Sequence, residues 1–549
     1  MRKIAIIFSL LLGLLSSSEV NAQTLDLGGT VWNNDIIGWT DLHTLSFTSH
    51  NYGTARSMAM GNAFTALGAD MVSASLNPAG IGMYTRSDVN ISPMLQVIKS
   101  PTSGERYYSS NTPSRDQEFK ETTTRFGFSN MGAIFNVYTG TGALTNLNIG
   151  VTYNRIADFN RSMLTASRYN PATESMANLF CLEATLDKLA PNDKGNMPYG
   201  YDPRFWGATL AYNSYLINHD EQGWYIDSIA ETSEVDQYSA INTRGSLGEF
   251  ALTAGLNFLD IFYLGASIGI QSLRYRHEVF YGENYYHQPD SGLEYELDYM
   301  NYLQYTDLSG TGINFKIGIT ARPVEWLRLG VAFHTPTYFT TVLHYNASMW
   351  NEAFNTTTGR YDYKEAATPG WSDEGANAWR YRTPTRLLSG AAVTIAKRLI
   401  LSLDYEHSWY QYTKLQRSPI YGLDYSAQIR EVLKDSGTLR AGVEFCATPY
   451  LSIRGGFIWS DSAVKSSYDD LLATHIMPTS QYYITGGLGI QLNRSAYIDF
   501  AYQYGSTHYA QSANFYGYFD DNTGVDIVSE VFSTKSNKHM AVLTFGWRF

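Results

Sequence analysis

Apolar and polar residues alternate with a period of two in many short segments of the chain. In segment 313–321 the odd positions are apolar and the even positions are polar or small; the apolar face consists of Ile313, Phe315, Ile317 and Ile319. The next segment repeats this pattern with Leu327, Leu329, Val331 and Phe333. Because successive side chains of a β-strand point to opposite sides, the pattern predicts strands with one apolar and one polar face.

Counted back from the C-terminus, the same pattern predicts about fourteen strands joined alternately by short and long connections. They lie near 86–97, 124–138, 144–160, 243–258, 262–276, 311–322, 326–343, 384–396, 399–412, 437–447, 451–459, 482–492, 496–505 and 537–549. The fold class is therefore predicted to be all-β. An even number of strands lets an antiparallel sheet close with both of its ends on one side of a membrane.

A soluble β-sandwich would show the same alternation, so other features must decide between the two architectures. The last strand alternates up to a terminal aromatic residue through Ala541, Leu543, Phe545, Trp547 and Phe549, which is the pattern that barrel-assembly machinery recognises in bacterial outer-membrane proteins. The connection at 493–494 is very short, whereas 282–301 is long and polar. Short periplasmic turns and long extracellular loops are typical of a transmembrane antiparallel β-barrel.

The N-terminus and the composition agree with this location. Arg2 and Lys3, the apolar run 4–15 and the small residues at 20–22 predict a signal peptide over 1–22. We expect the mature chain in the outer membrane, with lipid, lipopolysaccharide and, during biogenesis, the barrel-assembly machinery as partners.

The formal charge of −12 argues against nucleic acid as a partner. Cys181 and Cys446 are read as isolated thiols.

Residues 23–85 precede the barrel, which we assign to 86–549. The stretch 52–93 is rich in small residues, and Asn77-Pro78-Ala79-Gly80 would interrupt a helix there. A fourteen-strand barrel has a lumen wide enough to leak unless something fills it. We therefore expect the N-terminal segment to form a hatch, or plug, inside the lumen.

The stretch 53–61 followed by 77–80 resembles the hatch of FadL/TodX-type outer-membrane transporters, and the hairpins at 312–330, 383–406, 437–459 and 484–504 resemble later strands of that family. The matching hatch residues are Gly53, Arg56, Gly61, Asn77, Pro78, Ala79 and Gly80. The resemblance implies a plugged fourteen-strand barrel through which fatty acids or aromatic hydrocarbons pass, leaving sideways at a strand kink or past a shifted hatch. The segment 24–51 and the long external loops depart from the family pattern.

The largest predicted loop, 161–242, contains a predicted helix at 173–190. Its apolar residues recur at near-helical spacing and include Met176, Leu179, Phe180 and Leu186. They could form an exposed hydrophobic surface that collects apolar ligands. The alternative, that this face packs against neighbouring loops, is favoured because amphipathic helices usually bury their apolar side on their own protein.

Four basic residues are predicted to face the lumen: Lys316, Arg328, Arg440 and Arg454. An arginine fork could bind the carboxylate head group of a ligand. Ion pairing with lumen carboxylates or with the hatch is the favoured alternative, because barrel interiors are normally polar.

The leading hypothesis is passive uptake of hydrophobic small molecules. The alternative is a FadL-like barrel that serves as a protein-binding or secretion-associated platform, as the shuttle proteins of type IX secretion do, so that a protein partner stays open. We expect no enzyme activity, because the sequence has no GxSxG, HExxH or P-loop motif, and we predict no cofactor and no metal site.

Overall fold

A computed structural model describes the residues 39–105, 118–186, 188–200, 205–219, 225–227, 229, 233–286, 293–373, 379–416, 425–465, 477–509, 512–513, 518–520, 525–527 and 531–549. The predicted signal peptide and residues 23–38 lie outside this part of the chain. Among the described residues, no helix has both the length and the hydropathy that a membrane span requires.

Fourteen antiparallel strands of the described chain form one closed barrel. They are β1 Asp88–Glu105, β2 Glu118–Thr139, β3 Leu144–Asp158, β4 Glu234–Phe258, β5 Phe262–Tyr285, β6 Tyr295–Val324, β7 Leu327–His334, β8 Arg386–Ile395, β9 Leu399–Ser408, β10 Ser436–Cys446, β11 Leu451–Ser460, β12 Pro478–Gln491, β13 Ala496–Tyr509 and β14 Val531–Arg548. Each strand pairs with the next, and β1 pairs with β14 from Asp88↔Arg548 onwards. The predicted fold class is confirmed, and each of the fourteen predicted strands overlaps a strand of the barrel. The predicted strand 326–343 is interrupted after His334, and the predicted strand 399–412 ends at Ser408.

Further strands prolong the barrel wall or form hairpins at one end. They are Arg161–Pro171, Tyr338–Asn355, Arg360–Ala367, Trp371–Asp373, Trp379–Arg382, Lys414–Gln416 and Ser512–Ala513, with the hairpins Ile217–His219/Tyr225–Asp227 and Tyr518–Asp520/Val525–Ile527. The helices are α1 Trp39–Ser46, α2 Ala55–Ala59, α3 Met176–Leu186, α4 Trp206–Asn213 and α5 Ser426–Val432. Short 3₁₀ turns occur at Met71–Ala74, Pro78–Met83, Ala172–Glu174 and Tyr410–Tyr412.

The outer surface of the barrel carries an apolar band. Large apolar side chains point outward and are exposed on successive strands, among them Leu95, Phe126, Phe250, Leu252, Ile268, Ile270, Ile317, Val331, Leu403, Leu543 and Phe545. The intervening positions point inward and are buried polar residues, such as Asn314, Lys316 and Thr320. This inversion of the usual globular pattern matches a wall that faces lipid outside and polar groups inside.

The two ends of the barrel differ. Short connections such as 259–261 and 396–398 lie at one end, together with Asp88 and the C-terminal Phe549, whose carbonyl accepts a hydrogen bond from the Ser87 amide at 3.1 Å. We call this the turn end, and the opposite end, with the long connections, the loop end. The region 161–242, predicted as a loop, contains strand at both of its margins, so the irregular connection is shorter than expected.

Candidate functional site

The hatch, residues 52–84, lies inside the barrel lumen and is bonded to strands around its circumference. Inward side chains of β2, β9, β12 and β14 contact its backbone through the hydrogen bonds Gly53 N to Ser129 Oγ (3.0 Å), Ser402 Oγ to Ala63 O (2.6 Å), Thr485 Oγ1 to Ala59 O (3.0 Å) and Ala55 N to Thr544 Oγ1 (2.7 Å). Because these strands surround the segment, it blocks a straight path along the barrel axis.

Arg56 joins the hatch to the barrel on the side of the turn end. Its Nε lies 3.0 Å from Glu444 Oε2, and its Nη1 donates to the Ala69 carbonyl at 3.1 Å. Gly61 has a φ of +60°, and a Cβ there would lie 2.8 Å from the Phe457 carbonyl oxygen. A side chain at this position would therefore be strained and would push the hatch away from β11.

Asn77, Pro78 and Ala79 contact the opposite wall of the barrel. Asn77 caps the 3₁₀ turn that follows it, because its Oδ1 accepts from the Ala79 amide at 3.1 Å, and its Nδ2 donates to Thr320 Oγ1 of β6 at 3.1 Å. A Cβ at Gly265 of β5 would lie 2.1 Å from the Pro78 carbonyl carbon. The backbones of hatch and barrel thus touch directly here, which only glycine allows.

The four basic residues predicted in the lumen all bind groups of the protein itself. Lys316 pairs with Glu249, Arg440 Nη2 lies 2.5 Å from Glu406 Oε2, Arg454 Nη1 lies 2.5 Å from Asp499 Oδ1, and Arg328 Nη1 donates to the Leu67 carbonyl at 2.6 Å. This arrangement agrees with ion pairing inside the lumen and against the hatch, the alternative that the sequence favours. Each of the four basic side chains is therefore bound by a group of the protein itself.

The predicted collecting surface is not exposed in this structure. Met176, Leu179 and Phe180 of α3 are at most 3 % exposed, and only Leu186 is half exposed. They pack against α4 and against the prolonged strands of the loop end. The sequence pattern did not indicate α4 or the strand extensions, which supply the wall that buries this face.

We call this folded unit at the loop end the cap. A buried carboxylate, Glu283, anchors it by accepting hydrogen bonds from Ser175 Oγ (2.5 Å), the Met176 amide (2.9 Å) and Gln237 Nε2 (3.0 Å). The phenols of Tyr281 and Tyr285 donate to the same carboxylate at 2.5 and 2.6 Å. Burial, reinforced by Glu283, raises the pKa of both phenols well above the ordinary value, which keeps them protonated as donors.

Part of the lumen between hatch and cap is lined by a cluster of apolar side chains. Inward side chains of many strands form this corridor: Ile156, Phe159, Leu247, Leu273, Tyr275, Leu308, Phe339, Leu343, Trp379 and Tyr381. Helix α1 fills it with Leu42, Leu45 and Phe47, which are at most 6 % exposed. His43 Nε2 donates to the Pro478 carbonyl at 2.8 Å, and Arg386 Nη2 donates to the Ser46 carbonyl at 2.9 Å. The described part of segment 24–51 therefore occupies the apolar corridor.

The barrel wall is interrupted between β2 and β3. Their pairing runs from Thr139↔Asn146 only as far as Asn130↔Asn154. Beyond that point, within the described residues, β2 pairs only with β1, and Arg161–Pro171 pairs only with β4. The outward residues Leu95 and Phe126 beside this gap are 50 and 72 % exposed, so the gap lies within the apolar band.

An arginine closes the gap. Arg155 Nε donates to the Phe128 carbonyl at 3.4 Å, and its Nη1 lies 2.8 Å from Asp158 Oδ2. Asp158 also accepts from Gln96 Nε2 of β1 at 2.8 Å. On the lumen side lies a cavity of about 70 Å³, lined by Ile156 of the corridor and by polar residues such as Asp158 and Lys538. The cavity therefore borders the corridor through Ile156 and the arginine seal through Asp158.

A second, polar cavity of about 620 Å³ lies between the hatch and the turn end. Charged side chains line it, among them Arg56, Asp70, Asp88, Glu444, Arg454, Asp499 and Arg548. The hatch thus separates a polar vestibule at the turn end from an apolar corridor at the loop end.

No family model and no curated protein sequence matches the chain. Among solved structures, it is similar to the CymD monoaromatic hydrocarbon channel (10 % identity, 92 % of this chain and 99 % of that chain, TM-score 0.46). It is also similar to a FadL homologue from Pseudomonas aeruginosa (12 %, 94 % and 99 %, 0.48) and to the P. putida toluene transporter TodX (11 %, 91 % and 99 %, 0.47). No residue role transfers at these identities.

Proposed function

We propose that the protein is an outer-membrane channel for the passive passage of hydrophobic small molecules, such as long-chain fatty acids or aromatic hydrocarbons. The observation that carries this proposal is the gap in the pairing of β2 and β3, which lies in the apolar band of the outer wall, beside the end of the corridor at Ile156 and Phe159. A water-filled pore for polar solutes needs neither an apolar lumen nor an opening towards lipid.

The route starts at the loop end, follows the corridor to the cavity beside Phe159, and leaves sideways through the gap into the bilayer. Burial of the ligand in the corridor contributes about 25 cal/mol per Å² of apolar surface, and release into lipid preserves that gain. The hatch stays in place, because the route does not cross it. Helix α1 and the Arg155 seal must move aside, and no covalent chemistry is involved.

The gap can be filled by substitution at Gly127 of β2. A Cβ there would lie 3.2 Å from Arg155 Nη2 and 3.4 Å from Met94 Cε, so it points into the gap. We expect Gly127→Trp to lower the uptake of radiolabelled oleate or toluene by cells at least about tenfold, because an indole ring obstructs the lateral opening that this route uses.

Gly142→Trp is the matched control, since Gly142 lies in a short turn with no heavy atom within 4 Å of its added Cβ. It should reach the outer membrane at the same level and transport both probes at the wild-type rate. Wild-type uptake by Gly127→Trp, with normal membrane levels, would contradict the proposed route.

A protein-binding platform is the second candidate function. It is favoured by tyrosines on the strand Arg360–Ala367 at the loop end, since Tyr361 and Tyr363 are 56 and 48 % exposed. Exposed aromatic side chains are enriched in protein interfaces. Extraction in mild detergent that recovers a stoichiometric protein partner, together with no uptake of either probe, would favour this function over transport.

A further inference from the structure

On the outward face of β4, β5 and β6, the type of side chain changes from row to row above the apolar band. The row Phe250–Ile270–Ile313 ends the band, and all three side chains are at least half exposed. The next row towards the loop end, Gly248–Ser272–Thr311, is small and hydroxylated. These strands therefore leave the hydrocarbon region here but continue as paired strands.

Arginines occupy the next two rows of this face. Arg274 lies between Ser246 and Ser309, and Arg244 lies directly opposite Arg276. All three arginines are exposed. At about 3.3 Å per residue and a tilt of about 40°, Arg274 lies roughly 10 Å above Ile270, close to the outer limit of the headgroup layer.

The charges of these arginines are poorly compensated by the protein. Arg276 Nε lies 2.8 Å from Asp307 Oδ2, but among the described residues neither Arg244 nor Arg274 has a carboxylate within ion-pair distance. Like charges directly opposite one another destabilise an antiparallel pair. An external anion between Arg244, Arg274 and Arg276 would remove that repulsion. The exposed carboxylate Glu278 lies one row further from the membrane.

Aromatic and amide groups follow above the arginines. The Phe280 ring lies 6.0 Å from that of Trp350 and 5.9 Å from that of Tyr238, centroid to centroid. The Tyr238 hydroxyl donates to Asn301 Oδ1 at 2.7 Å. Partly exposed aromatic faces beside amides suit the packing of sugar rings, which present C–H groups and hydroxyls.

We propose that this face, the basic rows with the aromatic rows above them, is a binding site for lipopolysaccharide of the outer leaflet. Its acyl chains would contact Ile270 and its neighbours, its phosphates would bind Arg244, Arg274 and Arg276, and its sugars would pack on Phe280 and Trp350. The order of these layers along continuous strands is the order of the same chemical groups in that lipid. The inference rests on the outer-membrane location of the proposed function.

The experiment uses the full-length barrel, expressed in a Gram-negative outer membrane and extracted in mild detergent. Native mass spectrometry counts the lipopolysaccharide bound to wild-type protein and to the double variant Arg244→Gln/Arg274→Gln, which keeps the Arg276–Asp307 pair. The matched control is Lys397→Gln/Arg398→Gln, which removes two exposed charges at a turn-end connection. We expect the double variant to retain at least about tenfold less lipopolysaccharide, and the control to retain as much as wild type.

A binding assay with purified lipid A separates phosphate recognition from general affinity for lipid. Delipidated wild-type barrel should bind bisphosphoryl lipid A about tenfold more tightly than the dephosphorylated form, and Arg244→Gln/Arg274→Gln should lose that preference. Equal retention and equal preference in wild type and double variant would overturn the inference. Uptake of oleate and toluene, measured on the same variants, reports on transport independently, and fractionation of the wild type away from the outer membrane would instead refute the proposed location.

Discussion

Shortening one side chain of α1 tests whether this helix closes the corridor. Leu42 is 1 % exposed and packs among corridor residues that belong to paired strands, so the wall cannot collapse easily into the space that Leu42→Ala leaves. Buried Leu→Ala substitutions of this kind cost about 2–5 kcal/mol. If Leu42→Ala costs about 3 kcal/mol in the state in which α1 fills the corridor, the equilibrium shifts by roughly 150-fold towards the state in which α1 is displaced.

Two measurements together test whether α1 closes the corridor. Hydrogen exchange of the backbone amides in 39–51 should accelerate by about two orders of magnitude in Leu42→Ala, because exchange there follows the displaced population. Uptake of radiolabelled oleate or toluene should rise in parallel until another step limits it. Leu216→Ala, which removes an equally buried leucine from the cap, should leave both quantities in the corridor unchanged. Faster exchange in 39–51 without faster uptake would refute the idea that α1 gates the route.

Three other substitutions follow from the site. Arg155→Ala should raise uptake of both probes and single-channel leakage, because it removes the side chain that closes the gap beside Phe128; unchanged conductance would argue against that seal. Gly265→Ala should destabilise the docked hatch by about 1–3 kcal/mol or more, because the added Cβ meets the Pro78 backbone, and trypsin should then cleave the hatch faster than in Gly142→Ala. Glu283→Ala should destabilise the cap by at least about 3 kcal/mol, because five donors lose their acceptor; proteolysis of the cap no faster than in Glu294→Ala would contradict this reasoning.

The period of two in the sequence sufficed to predict the barrel because lipid imposes one apolar face on every membrane strand. The same signal ends where the lipid ends. Beyond Ile270 the outward positions of β5 are Ser272, Arg274 and Arg276, and the predicted strand 262–276 ends there. The remainder of β5, up to Tyr285, was not predicted, although the backbone pairing is uninterrupted.

Less of the candidate site than of the barrel could be predicted from the sequence. The hatch residues around Asn77 were indicated by a motif, but the gap depends on where pairing between two strands stops, and pairing leaves no trace in the residues on either side of Asn130. The position of α1 inside the lumen was only weakly indicated, by the spacing of the apolar residues Leu42, Leu45 and Phe47. Only the packed lumen shows that these side chains fill a corridor rather than a surface groove.

The seam between β1 and β14 has a consequence for how the molecule is made. Asp88 pairs with Arg548, and the amide of Ala55 bonds to Thr544, so these contacts join residues more than 450 positions apart. Until that last strand arrives, both margins of the sheet carry unpaired backbone groups, which makes a half-built chain prone to aggregate and slow to mature. Removing even a few C-terminal residues should therefore harm assembly far more than an equal deletion within a surface connection.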